Sequence, residues 1–211
     1  MSHVLVMAKS PVAGRVKTRL CPPCTSQEAA ELAEAALADT LDAVAACGAS
    51  RRIVALDGAP GPWLPAGFEV IPQVTGTFDR RLAAAWASAG GPGVQIGMDT
   101  PQVTAGLLDD ALAALDTSTA ALGLAVDGGW WAIGLRRPDA AVFLDVPMST
   151  NGTGAAQLAR LRQLGHAVTP LPALVDLDTI DDLHAVVESG SAIRTAALAR
   201  TLSVIPISVA V

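Results

Sequence analysis

Short apolar runs rich in Val, Ile and Leu alternate along the chain with longer stretches in which apolar residues recur every three or four positions. The runs His3–Lys9, Arg52–Leu56, Phe68–Ile71, Val94–Met98, Ala120–Val126 and Trp131–Leu135 have the length and composition of strands. Most lack strict apolar-polar alternation, as expected of strands covered on both faces. Between them, Thr25-Ser26-Gln27-Glu28 is a capping-box pattern. It opens a helix marked by Leu32, Leu37, Leu41 and Val44 that Gly48 can end. Further helical stripes run through Phe78, Leu82, Trp86 and Ala89, then through Leu108, Leu112 and Leu115. Leu158 and Leu161, running into Gly165, mark a fourth helix, and Leu183, Val186 and Val187 a fifth.

Strands alternating with helices predict right-handed βαβ units, hence an α/β fold: a three-layer α/β/α sandwich around a mostly parallel sheet. The segment Val126-Asp127-Gly128-Gly129-Trp130 breaks this rhythm, because two strands meet there with no room for a helix. One antiparallel strand is therefore expected, making the sheet mixed. A length of 211 residues suits one domain spanning 1–211.

Composition narrows the function classes. Hydrophobic residues make up 51% of the chain and charged residues 16%, which excludes disorder, and no apolar run reaches the length of a membrane span. The formal charge of −6 argues against a nucleic-acid partner, since that needs a basic face to displace counterions. Three cysteines and no export signal at the N-terminus point to the cytoplasm. The tail Leu202–Val211 is apolar and too short to cross a bilayer, so it is a candidate for packing or for pairing two copies into a homodimer.

In open α/β sheets, ligands bind beyond the carboxyl ends of the strands. After the first strand comes Lys9-Ser10-Pro11-Val12-Ala13-Gly14-Arg15-Val16-Lys17-Thr18-Arg19, with four cations around a Pro and Gly turn in an acidic protein. Backbone N–H groups and charge-assisted hydrogen bonds from such a loop suit a phosphate. A P-loop is excluded, because Arg15 and Val16 separate Gly14 from Lys17. Asp99, just after the fourth strand, is placed to hold a divalent metal, and Mg²⁺ needs only one or two protein carboxylates beside substrate phosphates. Asp176 and Asp178 fall on one side of an extended segment and could supply a second ligand, with capping of the next helix an equal reading for Asp178. Asp127, Gly128 and Gly129 form a turn that could approach a ligand backbone-first and accept from a sugar hydroxyl, or serve only as a hairpin turn. Cys21 and Cys24 have redox spacing, but no second pair completes a zinc site.

Several blocks then occur in order: Lys9-x-Pro11-x-x-Gly14-x-x-Lys17-Thr18-Arg19-Leu20, Gly76-Thr77-Phe78-Asp79-x-Arg81-Leu82, Gly97-x-Asp99-x-Pro101, Asp127-Gly128-Gly129 with Ile133-Gly134-Leu135, and Asp176-x-Asp178-Thr179. In these the chain resembles DUF2064, a bacterial family of glycosyltransferase-A-like proteins, from about His3 to Glu188. That family looks like a branch of the nucleotide-diphospho-sugar transferase fold, which also includes molybdenum cofactor and phospholactate guanylyltransferases. The resemblance implies a nucleotide site made by Lys9, Pro11, Gly14, Arg15, Lys17, Thr18 and Arg19, with Asp127, Gly128 and Gly129. It implies a metal on Asp99 with Asp178 ahead of Asp176 as second ligand, and catalytic roles for Lys17, Arg19 and Asp99. Trp130 and Trp131 stand where the family usually has Tyr after Asp-Gly-Gly, which predicts a different acceptor pocket.

The expected protein is thus a Mg²⁺- or Mn²⁺-dependent transferase acting between a nucleoside triphosphate or nucleotide sugar and a small acceptor. Nucleotidyl transfer comes ahead of glycosyl transfer, because Thr100 and Pro101 replace the Asp-x-Asp pattern of many glycosyltransferases of this fold. The alternative is a non-catalytic nucleotide-binding or regulatory module.

Overall fold

The run Val4-Leu5-Val6 has no exposed surface, because both faces of its strand are covered. The computed structural model describes residues 1–204. Its strands are β1 (His3–Lys9), β2 (Arg51–Asp57), β3 (Glu69–Pro72), β4 (Gly93–Gly97), β5 (Ala120–Ala125), β6 (Trp130–Leu135) and β7 (Val168–Leu174). Its helices are α1 (Ser26–Ala46), α2 (Phe78–Ala89), α3 (Ala105–Thr117), α4 (Thr153–Gln163), α5 (Ile180–Glu188) and α6 (Ile193–Thr201). The seven strands form one sheet in the order β3-β2-β1-β4-β6-β5-β7. Only β6 runs against its neighbours, pairing antiparallel with β4 and β5, as the Asp-Gly-Gly turn predicts.

Alternate residues of the central strands feed two separate cores. Val4, Val6, Val54 and Ile96 pack with Leu37 and Leu41 of α1 and Leu108 of α3. Leu5, Met7 and Ile53 point the other way, onto Leu82 and Trp86 of α2, with Phe143 and Leu161. Burying each such side chain contributes roughly 1.5–3 kcal/mol, so the three-layer arrangement follows directly from strands apolar on both sides. The outer face of α1 builds a third core with α5 and α6 through Leu32, Ala36, Leu183 and Ala199.

The capping box at Thr25 and Glu28 is formed, while α1 ends at Ala46 with Cys47 as its cap, just before the expected Gly48. Two elements are additions to the sequence reading. Strand β7 contains Pro170 and Pro172, which read as breakers, but among the described residues β7 pairs only with β5, and an edge strand tolerates residues without an N–H. Helix α6 has no cap of its own at Ala192. Its first N–H groups are met by the buried Asp39 of α1, which accepts from Arg194 N at 2.9 Å and Thr195 N at 2.9 Å. Such a cap is invisible in local sequence. Of the apolar tail, Leu202 and Val204 pack on the third core, and residues 205–211, on which the expectation of pairing rested, lie outside the described residues.

Candidate functional site

The carboxyl ends of β1 and β4 place two loops side by side. In the first, Arg15 N donates to Val12 O at 2.9 Å, and Lys9 Nζ donates to Arg15 O at 3.3 Å, folding the loop on itself. Gly14 sits at φ +75°, where a side chain is disfavoured. Lys17 is also left-handed, at φ 48°, a conformation costing a non-glycine residue about 1–2 kcal/mol. That turn sends its side chain inward, leaving it 5% exposed.

The buried ammonium meets two carboxylates. Lys17 Nζ is ion-paired with Asp99 and lies 3.2 Å from Asp178 Oδ1, while Arg19 Nη1 approaches Asp178 Oδ2 at 3.1 Å. Burial alone would lower the Lys17 pKa, but Asp99 and Asp178 outweigh it and hold the ammonium above its ordinary value. Asp178 reaches this place because Leu177, fully buried, donates its N–H to Asp99 O at 2.7 Å and pins the segment to the end of β4. Asp178 does not cap the next helix: Thr179 caps α5, in a capping box with Asp182. Asp176 joins the same cluster. Burial, then the negative charges of Asp99 and Asp127, push its pKa up to about 7, against the opposing pull of Lys17.

A cavity of about 490 Å³ opens beside this cluster. Arg19, Asp99, Asp127 and Asp178 stand along its charged side. Met7, Phe78, Leu82, Trp130 and Met148 supply its apolar walls. The Asp-Gly-Gly turn is held rigidly: Asp127 Oδ1 accepts from Gly129 N at 2.8 Å, and Gly154 N donates to Gly128 O at 2.8 Å. Gly128 has φ +92°, and a Cβ there would collide with the backbone of Asn151.

The structure therefore brings Lys17, Arg19, Asp99, Asp127, Gly129, Asp176 and Asp178 together. Lys9, Pro11, Gly14, Arg15 and Thr18 are on the loop but do not line the cavity. Cys21 and Cys24 are free thiols. Trp130, which the sequence analysis tied to the acceptor pocket, is one of the walls; sequence reasoning did not single out Gln95, Met7, Leu82 or the segment Met148–Thr153 as part of the site, and a lone amide within Gly93–Gly97 was the available signal for Gln95. Arg81, in the second sequence block, has a bracing position: its Nε donates to Gln73 Oε1 at 2.9 Å and its Nη2 lies 3.1 Å from Asp57 Oδ2. Gln73 in turn donates to Ala8 O at 2.8 Å and Ala55 O at 2.7 Å, tying β1 to β2 just below the loop.

Among the described residues no three His, Cys, Asp or Glu side chains stand close enough to hold a metal ion by themselves. Two carboxylates do converge on one cation, since Asp99 and Asp178 share the Lys17 ammonium. An all-oxygen donor pair of this kind fits Mg²⁺ or Mn²⁺ completed by water and phosphate.

A mostly parallel mixed sheet, with the cationic loop after β1, Asp99 after β4 and Asp178 after β7, is of the nucleotide-diphospho-sugar transferase type of fold. A protein from Desulfovibrio desulfuricans G20, described as a candidate nucleotide-diphospho-sugar transferase, superposes with a TM-score of 0.86 at 26% identity, over 96% of this chain and 95% of that one. A nucleotidyl transferase from Methanothermobacter thermautotrophicus shares the fold at TM-score 0.58 and 18% identity, covering 92% of this chain and 99% of its own. Rv0371C from Mycobacterium tuberculosis H37Rv, in complex with manganese, does so at TM-score 0.54 and 22% identity, over 89% of this chain and 97% of that one. No curated protein matches in sequence. The chain belongs to the DUF2064 family, described as uncharacterized protein conserved in bacteria, whose model matches residues 29–150.

Proposed function

We propose that the protein is a metal-dependent transferase that moves a nucleotidyl group, in preference to a glycosyl group, from a nucleoside triphosphate or nucleotide sugar to a small acceptor. The observation that carries this reading is the convergence of Lys17, Arg19, Asp99 and Asp178 at the edge of a ligand-sized cavity. The transferase descriptions of the Desulfovibrio and Methanothermobacter proteins support it, and the manganese in Rv0371C supports the choice of ion.

Asp99 and Asp178 would hold Mg²⁺ or Mn²⁺, which when bound supplies charge neutralisation at phosphate oxygens. Freed from these carboxylates, the Lys17 ammonium turns to the phosphates, joined by the exposed guanidinium of Arg19 and, from the loop above, Lys9, Arg15 and the backbone around Pro11, Gly14 and Thr18. In the nucleotidyl reaction an acceptor oxygen bonds to the α-phosphorus as the bond to pyrophosphate breaks. Negative charge then grows on the leaving group facing Lys17 and Arg19, so catalysis is positioning and electrostatic stabilisation with no protein nucleophile. Asp127, on the same charged side of the cavity, would orient the acceptor or the sugar. The protein would work in the cytoplasm, where its three free thiols persist.

A thermal-shift panel of the four nucleoside triphosphates and common nucleotide sugars, with and without Mn²⁺, tests the reading. Metal-dependent stabilisation by one nucleotide class, lost in Asp99→Ala, is expected; no shift with any nucleotide would refute it. Release of pyrophosphate rather than nucleoside diphosphate identifies nucleotidyl transfer. Binding without turnover against a panel of acceptors would favour a non-catalytic module.

A further inference from the structure

Gln95 is the one polar side chain of β4, and it lies on the cavity without a protein partner. The residue has no exposed surface, and neither its Nε2 nor its Oε1 makes a hydrogen bond among the described residues. Strand register places it deep. Met7 pairs with Gly97 at the carboxyl end of the sheet, whereas Gln95 pairs with Leu5, one step further in on the same face. Its strand neighbour on the other side is Ile133. The residues around the cavity therefore extend from a charged mouth at Asp99 and Arg19, past Phe78 and Trp130, to Gln95, whose amide lies closed off behind them.

An orphaned buried carboxamide is disfavoured by roughly 1–3 kcal/mol for each unmet group, and native proteins keep few of them. Leu or Met would fill the same strand position without that penalty. A ligand that supplies both missing partners would recover it.

We propose that Gln95 is a specificity-determining residue of the cavity, taking a neutral ring that offers a hydrogen-bond donor beside an acceptor, as a cyclic amide edge or a vicinal diol does. The inference rests on the transferase reading and names the substrate chemistry of its inner subsite. A charged group does not suit this subsite. The ionised side chains of the cavity stand at its mouth, and a charge carried past Leu82 and Met7 would lose its water with no counter-ion. A ring does suit it, because Phe78, Trp130 and two methionines offer flat and deformable walls. The amide atoms are closed from solvent, so the ligand reaches them by displacing an unbranched thioether of Met7 or Met148, the most readily repacked of the walls.

The test uses two probes that separate the sources of this chemistry: uracil, with ring amides and no hydroxyl, and methyl α-D-glucopyranoside, with hydroxyls and no amide. In wild type, the probe that binds shifts the Gln95 side-chain amide resonance in ¹⁵N NMR, a readout that needs no variant. In Gln95→Met, saturation transfer to that probe falls about tenfold while the ligand-free Tm holds or rises by about 2–4 °C, as expected when an unmet amide is replaced by an apolar chain of similar shape. Failure of both probes to move the Gln95 resonance overturns the proposal, as does equal binding by Gln95→Met or a lowered Tm. Stabilisation by Mn²⁺ and nucleotide is recorded on the same samples. If it persists while the probes fail, only the assignment of Gln95 falls; if it is absent, the transferase reading falls.

Discussion

Replacing Lys17 by Met tests whether this side chain holds the place of a metal ion. Lys17 is 5% exposed, while its partners Asp99 and Asp178 are 44% and 41% exposed, so the pairs are neither fully buried nor fully screened. Unit charges about 4 Å apart attract by about 1 kcal/mol in water and about 4 kcal/mol at an effective dielectric of about 20. With half-wetted carboxylates and a buried ammonium whose desolvation opposes the pairing, the net contribution of Lys17 lies at about 1–3 kcal/mol. Lys17→Met should then lower the Tm by roughly 2–12 °C, taking 2–4 °C per kcal/mol for a protein of this size.

The same energy acts in the opposite sense on free metal. On the proposed reading a divalent ion displaces the ammonium from both carboxylates in the wild type, whereas in Lys17→Met Asp99 loses its cation and Asp178 keeps only the exposed Arg19. Each 1.4 kcal/mol is a factor of ten, so Mn²⁺ without nucleotide should bind the variant about 10- to 100-fold more tightly. With nucleotide present the order should reverse, because the phosphates lose a cation. Calorimetric titration of MnCl₂ into the two proteins, with and without a nucleoside triphosphate, measures both. A Lys17→Met protein that stays folded and binds free Mn²⁺ no better than wild type would show that Lys17 and the metal do not compete for Asp99 and Asp178.

Other parts of the structure give independent tests. Burial, then the charge of Arg51, lowers the His3 pKa from 6.5 to about 4, so the folded protein keeps His3 neutral while the unfolded chain takes up a proton. Stability is unaffected by His3 above pH 6.5 and falls from pH 6.5 to about 4, by roughly 3 kcal/mol in total, a dependence that urea unfolding should find flattened in His3→Gln. The raised pKa of Asp176 acts the other way: the unfolded chain gives up this proton above pH 3.8 while the folded state holds it to about pH 7, so stability falls as pH rises across that range and levels off above it, and Asp176→Asn should stabilise the protein at pH 8 more than at pH 5. Asp39→Ala removes the cap of α6, including the 2.8 Å bond from Thr195 Oγ1, and should cost about 1–3 kcal/mol, with the α6 amides exchanging first in hydrogen-exchange experiments. Gly128→Ala combines φ +92° with a collision against Asn151, so the turn must move; unchanged stability and nucleotide response would refute the rigid-turn description.

What could be read from the sequence, and what could not, follows from the range of the interactions involved. The central strands are legible because each carries its own apolar run, and α1 because Thr25 and Glu28 announce its start within four residues. Helix α6 is not legible, because the group that starts it is Asp39, in another helix more than 150 positions away in sequence. Strand β7 is hidden by its prolines, which are harmful only where both strand edges must pair, and among the described residues β7 is paired on one edge. The candidate site divides in the same way. Asp99 and the loop cations are recognisable because strand ends and local charge mark them.

Their relation is a tertiary fact: composition suggested that all the loop cations face an incoming phosphate, whereas Lys17 faces inward to Asp99 and Asp178. The reason is electrostatic. Four aspartates, 99, 127, 176 and 178, meet at one end of the sheet, and an ammonium on a left-handed turn is the nearest charge that can be drawn among them. So much negative charge gathered around one lysine is what the proposed function would need, in which an anionic ligand brings a cation of its own or receives the one that Lys17 gives up.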